Sequence, residues 1–173
     1  SFKINICAVE NSNEQHSYPE EVKYILNTDL SENYIDLGNK INENTSISLI
    51  VVQHEFGFFA KNEADFLNLL KSINIPLAIV FHTVLPNPDE QLKAKVMEIS
   101  AIAASIIVMT NSSAKILVGD YAVSKSKIEV IPHGTHLVPH SDTHFLKNKY
   151  KLSGKTVLST FGLLSSGKSI ETT

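Results

Sequence analysis

Tryptophan is missing from this 173-residue sequence, and cysteine occurs once, at Cys7. A single thiol excludes an internal disulfide framework. Set in an apolar run, Cys7 is expected to serve as a small buried hydrophobe. With no secretion signal at the start, one unpaired cysteine points to a reducing, cytoplasmic compartment. Basic charge is also scarce: 15 Lys and Arg stand against 18 Asp and Glu, for a net charge of -3. That balance gives no basis for a nucleic-acid partner, whose binders cluster positive charge on one face. No apolar run approaches the roughly 20 residues that span a bilayer, although a peripheral contact at the inner face of a membrane stays open. The one basic enrichment, Lys147, Lys149, Lys151 and Lys155, is most simply a solvated helix face. Internal repeats and low-complexity stretches are absent.

What the sequence does hold is alternation. Apolar runs of strand length fall at residues 4–9, 47–53, 77–81, 106–109, 128–131 and 156–161. Most are continuous, as expected for parallel strands covered on both faces. Helical patterns separate them. Ser31 is placed to cap a helix bearing Tyr34, Leu37 and Ile41. Phe66, Leu69, Leu70 and Ile73 form a second stripe, and Leu92, Val96, Ile99 and Ala103 a third, with Asp89 as its expected cap. A fourth helix should start near Asn111 and end before Tyr121, and a fifth should cover residues 144–151. The fold class this implies is α/β: an open, parallel-sheet, Rossmann-like domain.

In such sheets ligands bind beyond the carboxyl ends of the strands. The residues standing there are His54 and Glu55, His82 and Thr83, Thr110 to Ser112, His133 and Gly134, and finally the segment 162–169. That last segment, GLLSSGKS, fits the phosphate-loop pattern through Gly162, Gly167, Lys168 and Ser169. Glycines let backbone amides face phosphate oxygens, and a lysine with a helix N-terminus adds positive potential. A nucleotide triphosphatase or kinase normally carries this loop early in its domain, with a magnesium-binding aspartate on a later strand. Here five apolar runs precede the strand that leads into it, and four residues follow it. A diphosphate loop of another fold therefore ranks above a plain turn, and a true phosphate-loop enzyme third.

Read in order, five segments resemble one family. VVQHEFGFF from Val51, FHTVLPNP from Phe81, IIVMTNSSAKIL from Ile106, KIEVIPHGT from Lys127 and TFGLLSSGKSIE from Thr160 look like the retaining GT-B glycosyltransferases. That large group (glycosyltransferase family 4, or group 1) includes bacterial mannosyl- and glucosyltransferases. The resemblance implies two Rossmann-like domains facing a cleft, with the acceptor held by the first and a nucleotide-sugar by the second. Residues 1–152 would be the acceptor domain and 153–173 the start of the donor domain, joined near residues 151–155. The resemblance places His82 against the transferred sugar and its departing phosphate, and Lys168, with Gly162 and Gly167, at the donor diphosphate. His54, Glu55, Thr83, His133 and Gly134 would line the acceptor side of the cleft. It implies a glycan, lipid or small-molecule acceptor, retention of configuration, and neither metal nor cofactor, the nucleotide-sugar being a substrate.

The sequence departs from the family at Leu163, where an arginine is usual, and at Ser169, where a glycine is usual. The family's N-terminal glycine-rich loop and paired-glutamate segment fall outside these residues. The polypeptide is thus expected to be a fragment, without catalysis of its own. In the implied chemistry an oxocarbenium-like centre is stabilised while a nucleoside diphosphate leaves. Lys168 neutralises the diphosphate and His82 donates a hydrogen bond to the phosphate or a sugar hydroxyl. Duller roles stand beside these. His82 could cap the 83–89 loop, His54 and Glu55 could bond within a loop, His133 could be a turn residue, and Thr110, Asn111 and Ser112 could be helix caps. His133, His136, His140 and His144 have helical metal spacing, but Pro132, Gly134 and Pro139 break any helix there. Two other classes remain: a truncated phosphate-loop hydrolase or kinase, and a non-catalytic α/β binding module.

Overall fold

Residues 3–13, 16–59 and 61–159 are described in the computed structural model of the chain. Leu77–Phe81 reads LAIVF and becomes a strand buried at every position. Here it is named β4, following β1 (Ile6–Glu10), β2 (Val22–Asn27) and β3 (Ile50–His54) and preceding β5 (Ser105–Val108) and β6 (Ile128–Val130). β3, β4, β5 and β6 lie side by side in chain order and pair in parallel. β1 and β2 form a separate parallel pair. The chain is therefore an α/β protein with the open, Rossmann-like arrangement the sequence implies, but its strands divide into two sheets rather than one. β2 is also not a continuous apolar run: VKYILN alternates between half-buried and exposed positions, with Leu26 alone buried.

The intervening helices are α1 (Ser31–Glu43), α2 (Glu63–Ser72), α3 (Glu90–Ile102) and α4 (Asn111–Gly119). Tyr34 and Leu37 of α1, Phe66 and Leu70 of α2, Val96 and Ile99 of α3 and Leu117 of α4 share one core cluster with Leu77, Ile79 and Phe81. Those three strand residues alternate along β4, so they point to one face of the sheet. Ala78 and Val80, on the other face, are buried but lie outside the cluster. This is the outcome expected when neighbouring parallel strands are joined in sequence by right-handed crossovers, which return every helix to the same side. The expectation of strands covered on both faces holds for β4, which is buried on both, and fails for β2 and β3. Val51 of β3 is 49% exposed and Ile25 of β2 is 52% exposed, because no helix among the described residues covers them. Cys7 stands exposed on β1 for the same reason and is not a core residue.

Where α1 meets α2, Gly38 allows close contact. A Cβ there would lie 2.8 Å from Ser72 Oγ and 3.3 Å from Leu69 Cδ1. The Asn42 amide donates to the Ser72 carbonyl and its oxygen accepts from the Asn74 amide, locking the same pair of elements. Asp89 caps α3 by accepting from Leu92 N at 2.7 Å, as its position suggests. Thr110 caps α4 by accepting from Ser113 N at 3.0 Å. Ser31 does not cap α1. It is the first helical residue, and its hydroxyl donates to Asp65 at 2.6 Å.

The chain forms two compact units, Ser1–His133 and Gly134–Thr173. The second holds the helix α5 (Thr143–Lys149), capped by Asp142, which accepts from Phe145 N at 2.7 Å. The joint expected near residues 151–155 falls inside this unit. Residues 156–159 pair with no other strand among the described residues, so the described part of the sixth apolar run forms no sheet. Segment 160–173, with Gly162, Gly167 and Lys168, lies outside the described residues.

One tertiary contact ends α3. Lys127, just before β6, donates to the carbonyls of Ser100, Ala101 and Ala103 at 3.0, 3.2 and 2.9 Å. These carbonyls sit at the negative end of the helix dipole and have no partner within the helix. Lys127→Met keeps the aliphatic stem and removes the ammonium. It should lower unfolding free energy by about 1–2 kcal/mol, read from the urea midpoint at constant slope. An unchanged midpoint would mean that water serves those carbonyls equally well.

Candidate functional site

Side-chain alternation sorts the residues at the ends of β3 and β4. Ile50, Val52 and His54 share one parity, and Val51, Gln53 and Glu55 the other. Because β3 and β4 pair with His54 opposite Phe81, His82 comes level with Glu55. Phe81 lies in the helix-covered core, and so does His54, at 3% exposure. Gln53 and His82 emerge on the opposite side. There the His82 ring nitrogen Nε2 lies 2.6 Å from Gln53 Oε1. Since the amide oxygen can only accept, Nε2 carries the proton in this pair. Beside it Thr83 donates to Glu55 Oε1 at 2.9 Å. Behind β6 the chain brings His133 to the same place, with its ring centroid 6.1 Å from that of His82.

The loop that carries this group is tied down. Tyr121, fully buried, donates its hydroxyl to the Leu85 carbonyl at 2.8 Å. Asp120 accepts from Asn87 N at 3.0 Å, holding Asn87 in the left-handed region at φ 51°. The end of α4 thus fixes the path of the chain after His82. His82 itself bonds to a side chain of the neighbouring strand and, among the described residues, caps no part of that loop.

The structure brings together four of the residues singled out in the sequence: Glu55, His82, Thr83 and His133. Gln53 joins them and was passed over, although its parity with His82 across the β3–β4 register is legible. His54 is not among them. Its ring lies 5.0 Å from Phe56, 6.3 Å from Phe59, 5.7 Å from Phe66 and 5.2 Å from Phe81, centroid to centroid. Its Nδ1 is buried without a hydrogen-bond partner. It is a core histidine in an aromatic shell, and sequence position at a strand end does not by itself open it to a cleft. Gly134 is exposed and belongs to the second unit, with open space where a Cβ would stand. No group of three or more His, Cys, Asp or Glu side chains among the described residues could hold a metal ion.

Chemically, the exposed group offers two imidazoles, an amide, a carboxylate and a hydroxyl within one rim. Such a set can donate to and accept from a polyhydroxylated or phosphorylated ligand. No helix among the described residues is long and apolar enough to cross a membrane. No protein-family model matches the chain, and no curated protein matches it.

Burial pushes the His54 imidazole down to about 4 from 6.5. Glu55 opposes that shift and Lys95 adds slightly to it. In the unfolded chain the same imidazole takes up its proton near the ordinary value. Between those two values the unfolded state binds more protons, so stability is complete above about pH 6.5 and falls as pH drops towards 4. The loss should approach about 3 kcal/mol. Urea midpoints at about pH 7.5 and about pH 4.5 should differ accordingly. His54→Leu, which cannot be protonated, should flatten that difference, and an unaltered slope would place the proton elsewhere.

Proposed function

We propose that the chain is the acceptor-side part of a glycosyltransferase, acting with a donor-binding half that carries the nucleotide-sugar. The observation that carries this reading is the cluster at the carboxyl ends of β3, β4 and β6. There Gln53, His82 and His133 lie together, with Thr83 bound to Glu55 alongside. The five ordered segments that resemble the retaining GT-B enzymes supply the reaction class. Parallel strands deliver polar groups to one end of a sheet, which is where such folds bind ligands.

In this reading His82 is the group nearest the chemistry. With Gln53 holding it, the protonated Nε2 has a fixed direction, so the ring does not have to be ordered when substrate arrives. When a ligand displaces Gln53, the same N–H can donate to a departing phosphate oxygen or a sugar hydroxyl, where negative charge grows in the transition state. His133 adds a second imidazole on the same rim. Glu55, occupied by Thr83, orients the start of the loop. Lys168 would neutralise the diphosphate, with Gly162 and Gly167 in the loop that binds it. The acceptor is a glycan, a lipid or a small molecule, and the cytoplasm is the proposed compartment, with contact at the inner membrane face for a lipid acceptor.

The test uses a protein that carries both halves. Transfer from a panel of nucleotide-sugars is measured with wild type and His82→Ala, with circular dichroism to confirm the fold. The variant should lose about 100-fold or more in turnover. A rate equal to wild type would remove His82 from the site. A truncated phosphate-loop hydrolase is the second reading, favoured by GLLSSGKS alone. It would be recognised if this chain bound ATP–magnesium tightly and Lys168→Ala abolished that binding.

A further inference from the structure

A hollow of about 170 Å³ lies beyond the ends of β1 and β2, closed by the loop after β3. Asn11, Thr28, Asp29, Phe58, Lys61 and Asn62 line it, and none of them belongs to the His82 group. The loop is anchored by its own neighbours. Phe59 is 6% exposed and stacks on Phe66 with centroids 3.9 Å apart. Asn62 donates its amide to the Thr28 carbonyl at 2.7 Å. With Phe59 held inward, the adjacent Phe58 ring is left 55% exposed beside the hollow, edge-on to Phe59 at 6.4 Å.

The polar groups here are placed and nearly neutral in sum. Asp29 accepts from the Ser12 backbone amide and from Lys61 Nζ, each at 3.0 Å. These bonds, the Ser12 amide first, hold its carboxyl below the usual carboxylate range. The carboxylate therefore stays ionised, and the Lys61 ammonium balances it. Capacity remains: a carboxylate has about four acceptor sites and an ammonium three donors, and Asp29 and Lys61 use only part of theirs. An anionic ligand would meet one cation, already paired. A wholly apolar ligand would strand the carboxylate, ammonium and amide without partners. What suits an exposed aromatic face next to planar carboxylate and amide groups is a neutral ring with an apolar flank and adjacent hydroxyls. The volume, below the roughly 300–1,000 Å³ of sites for drug-sized molecules, suits a single ring.

We propose that this hollow is a binding site for one neutral sugar ring, its apolar face on Phe58 and its hydroxyls on Asp29, Lys61 and Asn62. This goes beyond the transfer reading, and equilibrium binding tests it without any turnover. Ligand-observed saturation-transfer NMR and calorimetry on this chain would use glucose, galactose, mannose and N-acetylglucosamine as probes, with glucose 6-phosphate and inorganic phosphate beside them. At least one neutral sugar should bind in the millimolar range, more tightly than phosphate. Phe58→Ala should weaken it about ten-fold with no change in thermal midpoint, Phe58→Tyr should retain it, and Lys149→Ala on α5 should leave it unchanged. The proposal is overturned if none of the four sugars binds, if phosphate alone binds, or if Phe58→Ala binds as wild type does.

Discussion

The parity of a parallel strand pair governs the rest of this structure. With His54 opposite Phe81, every second side chain on β3 and β4 faces four helices and every other one faces away. A slip of one residue would exchange those faces. If β3 slipped, His54 would lose its phenylalanine shell and Gln53 would be driven into the core; if β4 slipped, His82 would move to the wrong side. The register is held because Leu77, Ile79 and Phe81 are all buried in the shared cluster, and turning them out would forfeit about 1.5–3 kcal/mol for each. The core therefore selects the arrangement that leaves His82 beside Gln53 at the surface.

Two histidines that look alike in the sequence end with opposite physical roles. His82 is exposed, hydrogen-bonded and next to a second imidazole. His54 fills space among aromatic rings, with an unpartnered nitrogen. Edge-on packing against Phe56 and Phe81 gives the neutral ring a favourable setting, because a ring edge and a ring face are electrostatically complementary. The same shell offers nothing to a proton. Polarity of residue type did not tell which of the two is exposed, and the facing direction did.

Much of the fold was legible because its signals were local. LAIVF can only be an interior strand, and Asp89 before a helical stripe behaves as caps do. Thr110 follows the same rule. What escaped had non-local causes. VKYILN becomes a strand because Cys7 and its neighbours lie alongside to pair with it, and its half-exposed alternation gives little sign of that. Ser31 has the residue type of a cap, but Asp65 of α2 takes its hydroxyl. Cys7 is exposed because no helix among the described residues crosses its side of the sheet, which no window around residue 7 reveals. Of the candidate site, Glu55, His82, Thr83 and His133 were legible from their places at strand ends. Gln53 was hidden by sitting one residue earlier, inside the strand, where parity rather than position matters. The hollow by Phe58 was unreadable, since it draws on residues 11, 28, 29, 57 to 59, 61 and 62, brought together by the pairing of β1 with β2 and the packing of Phe59.

The ties from α4 to the loop after β4 have a consequence of their own. Tyr121 and Asp120 grip Leu85 and Asn87 through a phenol and a carboxylate, three and five residues after His82. Damage at either anchor would surface as disorder around His82 while Gln53, His82 and His133 kept their identities. A survey of random variants would then score positions 120 and 121 alongside the rim residues, as remote supports of the loop rather than as groups that meet a ligand.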